Sequence, residues 1–145
     1  MVTRHMIKQI SVFSENRPGR LSRFSKVLED EGINILAFSI AEADGFGVIR
    51  ALVDDPDRAH QRLTDAGFTV SFTEVIAVEM RDEPGGLHEV ASVLGEMEIN
   101  IEYSYAFSGR SKAVLILRVD KVEDAIRALL DRDIRLLEEK DVKEG

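Results

Sequence analysis

Two short stretches of the chain carry residue types suited to holding a small anion. Asn16-Arg17-Pro18-Gly19-Arg20-Leu21 is echoed by Asp82-Glu83-Pro84-Gly85-Gly86-Leu87. In both, a Pro-Gly pair precedes an apolar run at helical spacing, so each stretch is expected where a strand turns into a helix. The first amides of a helix lack intrahelical acceptors and carry a partial positive charge, so they receive carboxylates and phosphates. Gly19 and Gly85 have no side chain, which lets a ligand approach the backbone. A tight helix-starting turn without a ligand would use the same residues once. Their use twice, each time with Asn or Asp two residues before Pro, favours binding. The expected donors are the N–H groups of Gly19, Arg20 and Leu21, and of Gly85, Gly86 and Leu87.

Asn34 and Asn100 form a second pair. Asn is poor in strands, yet each precedes a strand-like run. A residue leaving a helix through a turn would also be Asn. An amide there could instead donate to a ligand carboxylate and accept from an amine. If the start of the second strand lies near the loop after the first, Asn16 with Asn34, and Asp82 with Asn100, become pocket pairs. Asp82 would add a negative charge suited to an ammonium group.

Groups that could do covalent or metal chemistry are missing. His5, His60 and His88 show no metal-ligand spacing. Asp54-Asp55-Pro56-Asp57 reads as helix caps and first-turn acids. No phosphate-binding P-loop or nucleophile elbow is present, and there is no cysteine. The expectation is a protein that binds rather than catalyses, with no cofactor and no metal.

The elements that must position these residues follow from an internal repeat. Pro18-Gly19-Arg20-Leu21 recurs 66 residues on as Pro84-Gly85-Gly86-Leu87, and Ile33-Asn34-Ile35 recurs at the same offset as Ile99-Asn100-Ile101. The same register pairs Ile10 with Ile76, Val12 with Val78, Leu28 with Leu94, Val48 with Val114 and Leu63 with Leu129, without a gap. Within each copy, β-branched runs at 7–13 and 75–80 predict strands. Leu21, Phe24, Val27 and Leu28 in the first copy, and Leu87, Val90, Ala91, Leu94 and Met97 in the second, give amphipathic helices, the first ending at Gly32. Two strands follow, 34–43 and 46–53, joined at Asp44-Gly45. The second copy has 100–107 and 112–119 around Ser108-Gly109-Arg110-Ser111. Helices at 56–66 and 122–132, capped by Asp54 or Asp55 and by Asp120, and strands at 68–73 and 134–137 complete each copy. The order is βαββαβ, an α+β ferredoxin-like unit with an antiparallel sheet and helices on one face. The expected division is 1–74 and 75–145, ending in a solvated, frayed tail.

Composition narrows the partners. The 145 residues carry a formal net charge of −8, and phosphate backbones repel such a surface. Nucleic acid and anionic membrane are therefore excluded as expected partners. The glycine–aromatic spacing of Asp44-Gly45-Phe46-Gly47-Val48-Ile49 is shared with an RNA-recognition signature on this topology. The basic residue and stacking aromatics that signature needs are absent. No apolar run is long enough to span a bilayer, and no h-region follows the N-terminus, so a cytoplasmic location is expected. Tyr103, Tyr105 and Phe107 alternate where the first copy has Ala37, Ser39 and Ala41. Bulk against small residues suggests packing at an interface, on a face the sequence does not assign.

The pattern Asn/Asp-x-Pro-Gly-x-Leu, followed by Ile-Asn-Ile at the second strand, resembles the ACT domain, over 6–74 and again over 75–138. The whole chain resembles stand-alone tandem ACT proteins associated with phenylacetate-CoA-type ligases. The resemblance implies amino-acid or related carboxylate binding at interfaces between paired domains. It also implies ligand contacts from the Asn/Asp-x-Pro-Gly loop and the strand-starting Asn. Two departures, Asp82 for Asn and Glu98 where the first copy has Gly32, imply pockets that differ in ligand or occupancy. A homodimer is expected, because sheets this small leave edges and faces open. The alternative is an interaction module that holds a partner enzyme, such as an acyl-CoA ligase, without a ligand.

Overall fold

Strand alternation and helical spacing require each copy to bury one sheet face under its own two helices. The computed structural model describes residues 2–108 and 113–144. A 3-10 turn, Val2–His5, leads into β1 (Ile7–Glu15), α1 (Arg20–Asp30), β2 (Ile35–Ala43), β3 (Phe46–Val53), α2 (Pro56–Asp65) and β4 (Thr69–Met80). Then come α3 (Gly86–Glu96), β5 (Ile101–Ser108), β6 (Ala113–Val119), α4 (Val122–Asp131) and α5 (Glu139–Glu144). The fold is α+β, as expected. The turn expected at Gly109-Arg110-Ser111 and the strand start at Lys112 lie outside the described residues.

Two compact units emerge, Lys8–Thr73 and Glu74 onward together with the residues up to Ile7. The sequence groups those first residues with the first copy. Contacts group them with the second, where the Val2–His5 turn packs on α4. That turn buries His5, whose Nδ1 finds no hydrogen-bond partner among the described residues. The two strands expected at 68–73 and 75–80 are one, β4, which gives its first residues to the first unit and its last to the second. Nothing between them breaks extended geometry.

In the first unit the strand order is β2-β3-β1-β4. Antiparallel register sets Val12 opposite Ile49 and Ile49 opposite Ile40. Ile10, Val12, Ile49 and Ala51 thereby share a face and form one cluster with Phe24 and Leu28 of α1 and Ala59 and Leu63 of α2. Phe24 meets Phe68 edge to face at 6.5 Å. In the second unit β6 lies between β4 and β5. Ile76, Val78, Leu115 and Leu117 cluster there with Val90, Leu94, Ile126 and Leu129. Each fully buried side chain of this kind stabilises by about 1.5–3 kcal/mol. The strand expected at 134–137 is reduced to a bridge between Val78 and Leu136. Around it, Glu79 N–H donates to the Arg135 carbonyl and Leu137 N–H to the Ala77 carbonyl.

Helix ends repeat as faithfully as the cores. After α1, Gly32 N–H donates to Glu29 C=O and Ile33 N–H to Leu28 C=O, with Gly32 at φ +69°. This is a Schellman motif, which needs a left-handed residue. The same two bonds close α2 at Gly67, α3 at Glu98 and α4 at Asp133. Helix starts differ more. Asp55 caps α2 by accepting from Arg58 N–H. The expected Asp120 cap of α4 is not made: Lys121 takes the N-cap position, and the Asp120 carboxylate accepts from the Asn100 amide at 3.0 Å. The tail is not frayed throughout, because Val142 of α5 is buried.

Candidate functional site

The two Pro-Gly stretches sit between β1 and α1 and between β4 and α3. Each helix begins one residue after glycine, at Arg20 and Gly86, with Pro18 and Pro84 in the preceding turn. Gly19 and Gly85 have φ of +89° and +92°, a conformation that glycine adopts without penalty. No atom lies within 4 Å of where their Cβ would be. The positive φ, rather than crowding, explains glycine at these positions. Neither helix has a side-chain cap, which leaves first-turn amides available.

Two of the six expected amide donors are already used. Arg20 N–H donates to Arg17 C=O at 3.2 Å, and Gly86 N–H to Glu83 C=O at 3.0 Å. Each closes the turn that sets up its helix. The amides at Leu21 and Ser22, within the first turn of α1, remain the positions without an intrahelical acceptor.

Asn16, Gly19, Arg20 and Leu21 converge on a depression of about 140 Å³, also lined by Ile40 and Ile49. Asn16 N–H donates to Gly45 C=O at 3.0 Å, fixing the loop against the β2–β3 hairpin. Glu15 and Arg17 form an ion pair beside it. The Arg20 side chain is half-buried and lines this depression.

The expected pairing of Asn16 with Asn34 within a unit is not what the fold gives. Glu15 lies opposite Phe46, the first residue of β3, whereas Ile35 lies opposite Val53, its last. An eight-residue strand separates the loop from Asn34, roughly 23 Å at strand rise. Asp82 and Asn100 are separated in the same way by β6. The backbone of each strand-starting Asn is held by an Asp. Asn34 N–H donates to the Asp54 carboxylate at 3.0 Å while its C=O accepts from Asp54 N–H. Asn100 and Asp120 repeat both bonds.

The second loop has different side chains on a similar path. Arg81 pairs with Glu83 and with Glu89. The hydrogen bond to Glu89, then the charges of Glu83 and Glu89, hold the Arg81 guanidinium above its ordinary value. Gly86 is buried, and a Cβ there would lie 2.0 Å from the Arg81 carbonyl oxygen. Asp82 and Leu87 are exposed.

A second hollow escaped the sequence reading. Val93, Met97, Ile99 and Ala128 floor a groove of about 380 Å³ beside α3 and α4, with a rim of mixed charge from Lys121, Asp124, Arg127, Asp131 and Arg132. Its first-copy counterpart is bridged: Glu31, at the position of Met97, pairs with Arg58 at 2.9 Å and Arg62 at 3.2 Å. The exchange of Glu31, Arg58 and Arg62 for Met97, Asp124 and Ala128 is the signal that marks it. Among the described residues no group of His, Asp and Glu could hold a metal ion, and no helix is long and apolar enough to cross a membrane.

Register also assigns the aromatic alternation to a face. Tyr103, Tyr105 and Phe107 lie opposite Arg118, Ile116 and Val114, on the side of the sheet turned away from the helices of that unit. Ala37, Ser39 and Ala41 lie opposite Leu52, Arg50 and Val48, on the corresponding side of the first unit.

No match is found among curated proteins. Among solved structures, protein BT0572 from Bacteroides thetaiotaomicron is 36% identical over 95% of this chain and 96% of its own, with a TM-score of 0.90. The ligand-free regulatory subunit of aspartate kinase from Thermus thermophilus is similar in fold, with a TM-score of 0.63 at 14% identity over 90% and 95% of the two chains. Aspartokinase α and β subunits give 0.57 at 17% identity over 88% and 92%. The model of the ACT domain pair matches residues 5–144. By that match over nearly its whole length, the chain belongs to the ACT domain pair family.

Proposed function

We propose that this protein is a regulatory sensor that binds an amino acid or related carboxylate at the loop between β1 and α1. The observation that carries the reading is the depression of about 140 Å³ where Asn16, Gly19, Arg20 and Leu21 converge. Family membership supports it, since ACT domains are regulatory ligand-binding modules. The fold likeness to a regulatory subunit of aspartate kinase is consistent with it. A ligand carboxylate would accept from the Leu21 and Ser22 amides, favoured by the helix dipole, and the Asn16 side chain would orient it. The loop at Asp82, Gly85, Gly86 and Leu87 would serve a weaker or different ligand. Asn34 and Asn100 would act by anchoring the strand starts. Regulation would run through a homodimer, or through an enzyme that the protein contacts.

Calorimetry against the proteinogenic amino acids and small aryl and alkyl acids tests this reading. Binding below millimolar that is lost in folded Gly19→Val, and weakened by about 1–3 kcal/mol in Asn16→Ala, supports it. No binding by any of them overturns it. Light scattering at high micromolar concentration tests the dimer, which a strict monomer would rule out.

A second reading rests on a different observation. β2 is the outermost strand of its unit, and it exposes Phe38 at 48% and Ile40 at 45%. An open edge with apolar side chains suits a ligand-independent module that holds a partner enzyme such as an acyl-CoA ligase. A complex that forms equally with and without the small acid would favour it.

A further inference from the structure

The geometry points to a ligand with two carboxylates on a short apolar chain, a C4–C5 dicarboxylate or an acidic amino acid, read in the first unit by Arg20. This inference rests on the reading of the β1–α1 loop as a ligand site and names the ligand class. Arg20 is half-buried and lines the depression. The other arginines of the four long helices hold partners: Arg23 the Ala66 carbonyl, Arg58 and Arg62 the Glu31 carboxylate, Arg127 Glu123 and Asp124. Among the described residues the Arg20 guanidinium has none. A partly desolvated guanidinium without an acceptor gains most from a carboxylate that it can bind through two N–H groups.

That gives the site two places for negative charge. One is the Arg20 guanidinium, and the other is the pair of first-turn amides at Leu21 and Ser22. Between them the walls are apolar, from Leu21, Ile40 and Ile49, which suits methylenes. The neighbouring Arg17 and Glu15 neutralise each other, so the lining is left with one net positive charge. A volume of about 140 Å³ displaces about five waters, which limits the ligand to a small acid.

The second copy supplies the control. The counterparts of Glu15, Asn16, Arg17 and Arg20 are Arg81, Asp82, Glu83 and Gly86. Arg81 is consumed by Glu83 and Glu89, which leaves the loop acidic. Arg at the Gly86 position is excluded by the Arg81 carbonyl, so this loop cannot acquire an equivalent of Arg20. A dicarboxylate should therefore meet one receptive loop per chain.

Titration calorimetry with glutamate, aspartate, glutarate and succinate, against glutamine and butyrate as neutral and singly charged controls, tests the assignment. The dicarboxylates should bind at least tenfold tighter than their controls, with about one site per chain. Arg20→Gln should erase that preference, lowering the affinity for glutamate far more than that for glutamine, and Arg20→Lys should restore part of it. Thermal melting confirms that the variants fold, and amide shifts at Leu21 and Ser22 locate the ligand. The relative affinities of glutamate and glutarate tell whether the natural ligand carries an amine. Equal binding of glutamate and glutamine, or a loss in Arg20→Gln that is the same for both, overturns this assignment. If glutamine then still depends on Gly19, the sensor reading stands without it. If none of these acids nor any proteinogenic amino acid binds, both fall together.

Discussion

The loop from Ser14 to Leu21 and its counterpart from Met80 to Leu87 follow the same backbone path and carry opposite charge. Both put glycine at positive φ just before a helix, at Gly19 and Gly85, and both close a turn with the next amide. In the first loop two arginines face one acid. In the second, one arginine is held by two acids beside a third, Asp82. The groove beside the helices also diverges, bridged by ion pairs in the first unit and floored by apolar side chains within a charged rim in the second. Duplication has kept what folds the chain and released what could touch a ligand. Backbone turns and cores are constrained by packing, whereas exposed side chains cost little to exchange.

The shared cores offer the largest test. Leu28 and Leu94 occupy equivalent positions and are fully buried. Leu28→Ala and Leu94→Ala should each cost about 2–5 kcal/mol, measured by urea unfolding. Costs that differ by more than about twofold would break the equivalence of the two cores.

At the loops the copies should separate. Gly86→Ala drives a methyl into the Arg81 carbonyl, 2.0 Å away, and should cost about 1–3 kcal/mol. Arg20→Gly, the exchange in the other direction, should cost about 1 kcal/mol at most, the difference in helix propensity. Unfolding curves in which the two variants match would show that the loops are less different than their contacts imply.

The helix ends give a smaller effect of opposite sign. The first copy closes its helices with Gly32 and Gly67, the second with Glu98 and Asp133 at φ of +55° and +59°. A side chain in this region costs about 1–2 kcal/mol. Glu98→Gly should therefore stabilise the protein by about 1 kcal/mol, read as a raised melting temperature. A fall would mean that the Lys121 contact with the Glu98 carbonyl depends on that side chain's placement of the turn. The smallest change is Glu31→Met, which removes two ion pairs whose arginines are more than 40% exposed. It should cost less than about 1 kcal/mol while opening the first groove to resemble the second. An affinity for apolar dyes that rises on this substitution would sharpen the comparison.

Much of this is legible in the sequence. A fixed offset of 66 residues paired apolar and turn positions without a gap, because equivalent core sites demand equivalent residues. Periodicity located the helices that lie on each sheet, and Pro-Gly marked their starts. The misplaced pieces were the ones that depend on partners distant in sequence. Asn34 reads as a ligand group by chemistry, yet its backbone is held by Asp54, 20 residues away, at the far end of the strand from Asn16. The expected Asp120 cap fails because its carboxylate is drawn to the Asn100 amide instead. Val142 is polar in context but anchored by its fold.

The sequence alone determined the duplicated βαββαβ order, the glycine turns and the reversal of charge between the loops. These follow from local periodicity, backbone conformation and residue identity. Only the tertiary structure decided that Arg20 lines a hollow, with no partner among the described residues, while Arg81 is consumed by Glu89 from the next helix. It alone decided that Gly86 has no room for a side chain, and that the aromatics of β5 face away from their own helices. Each of these depends on strand register and on how a helix packs against its sheet. Residues far apart in the chain meet there, and local sequence does not encode the distance between them.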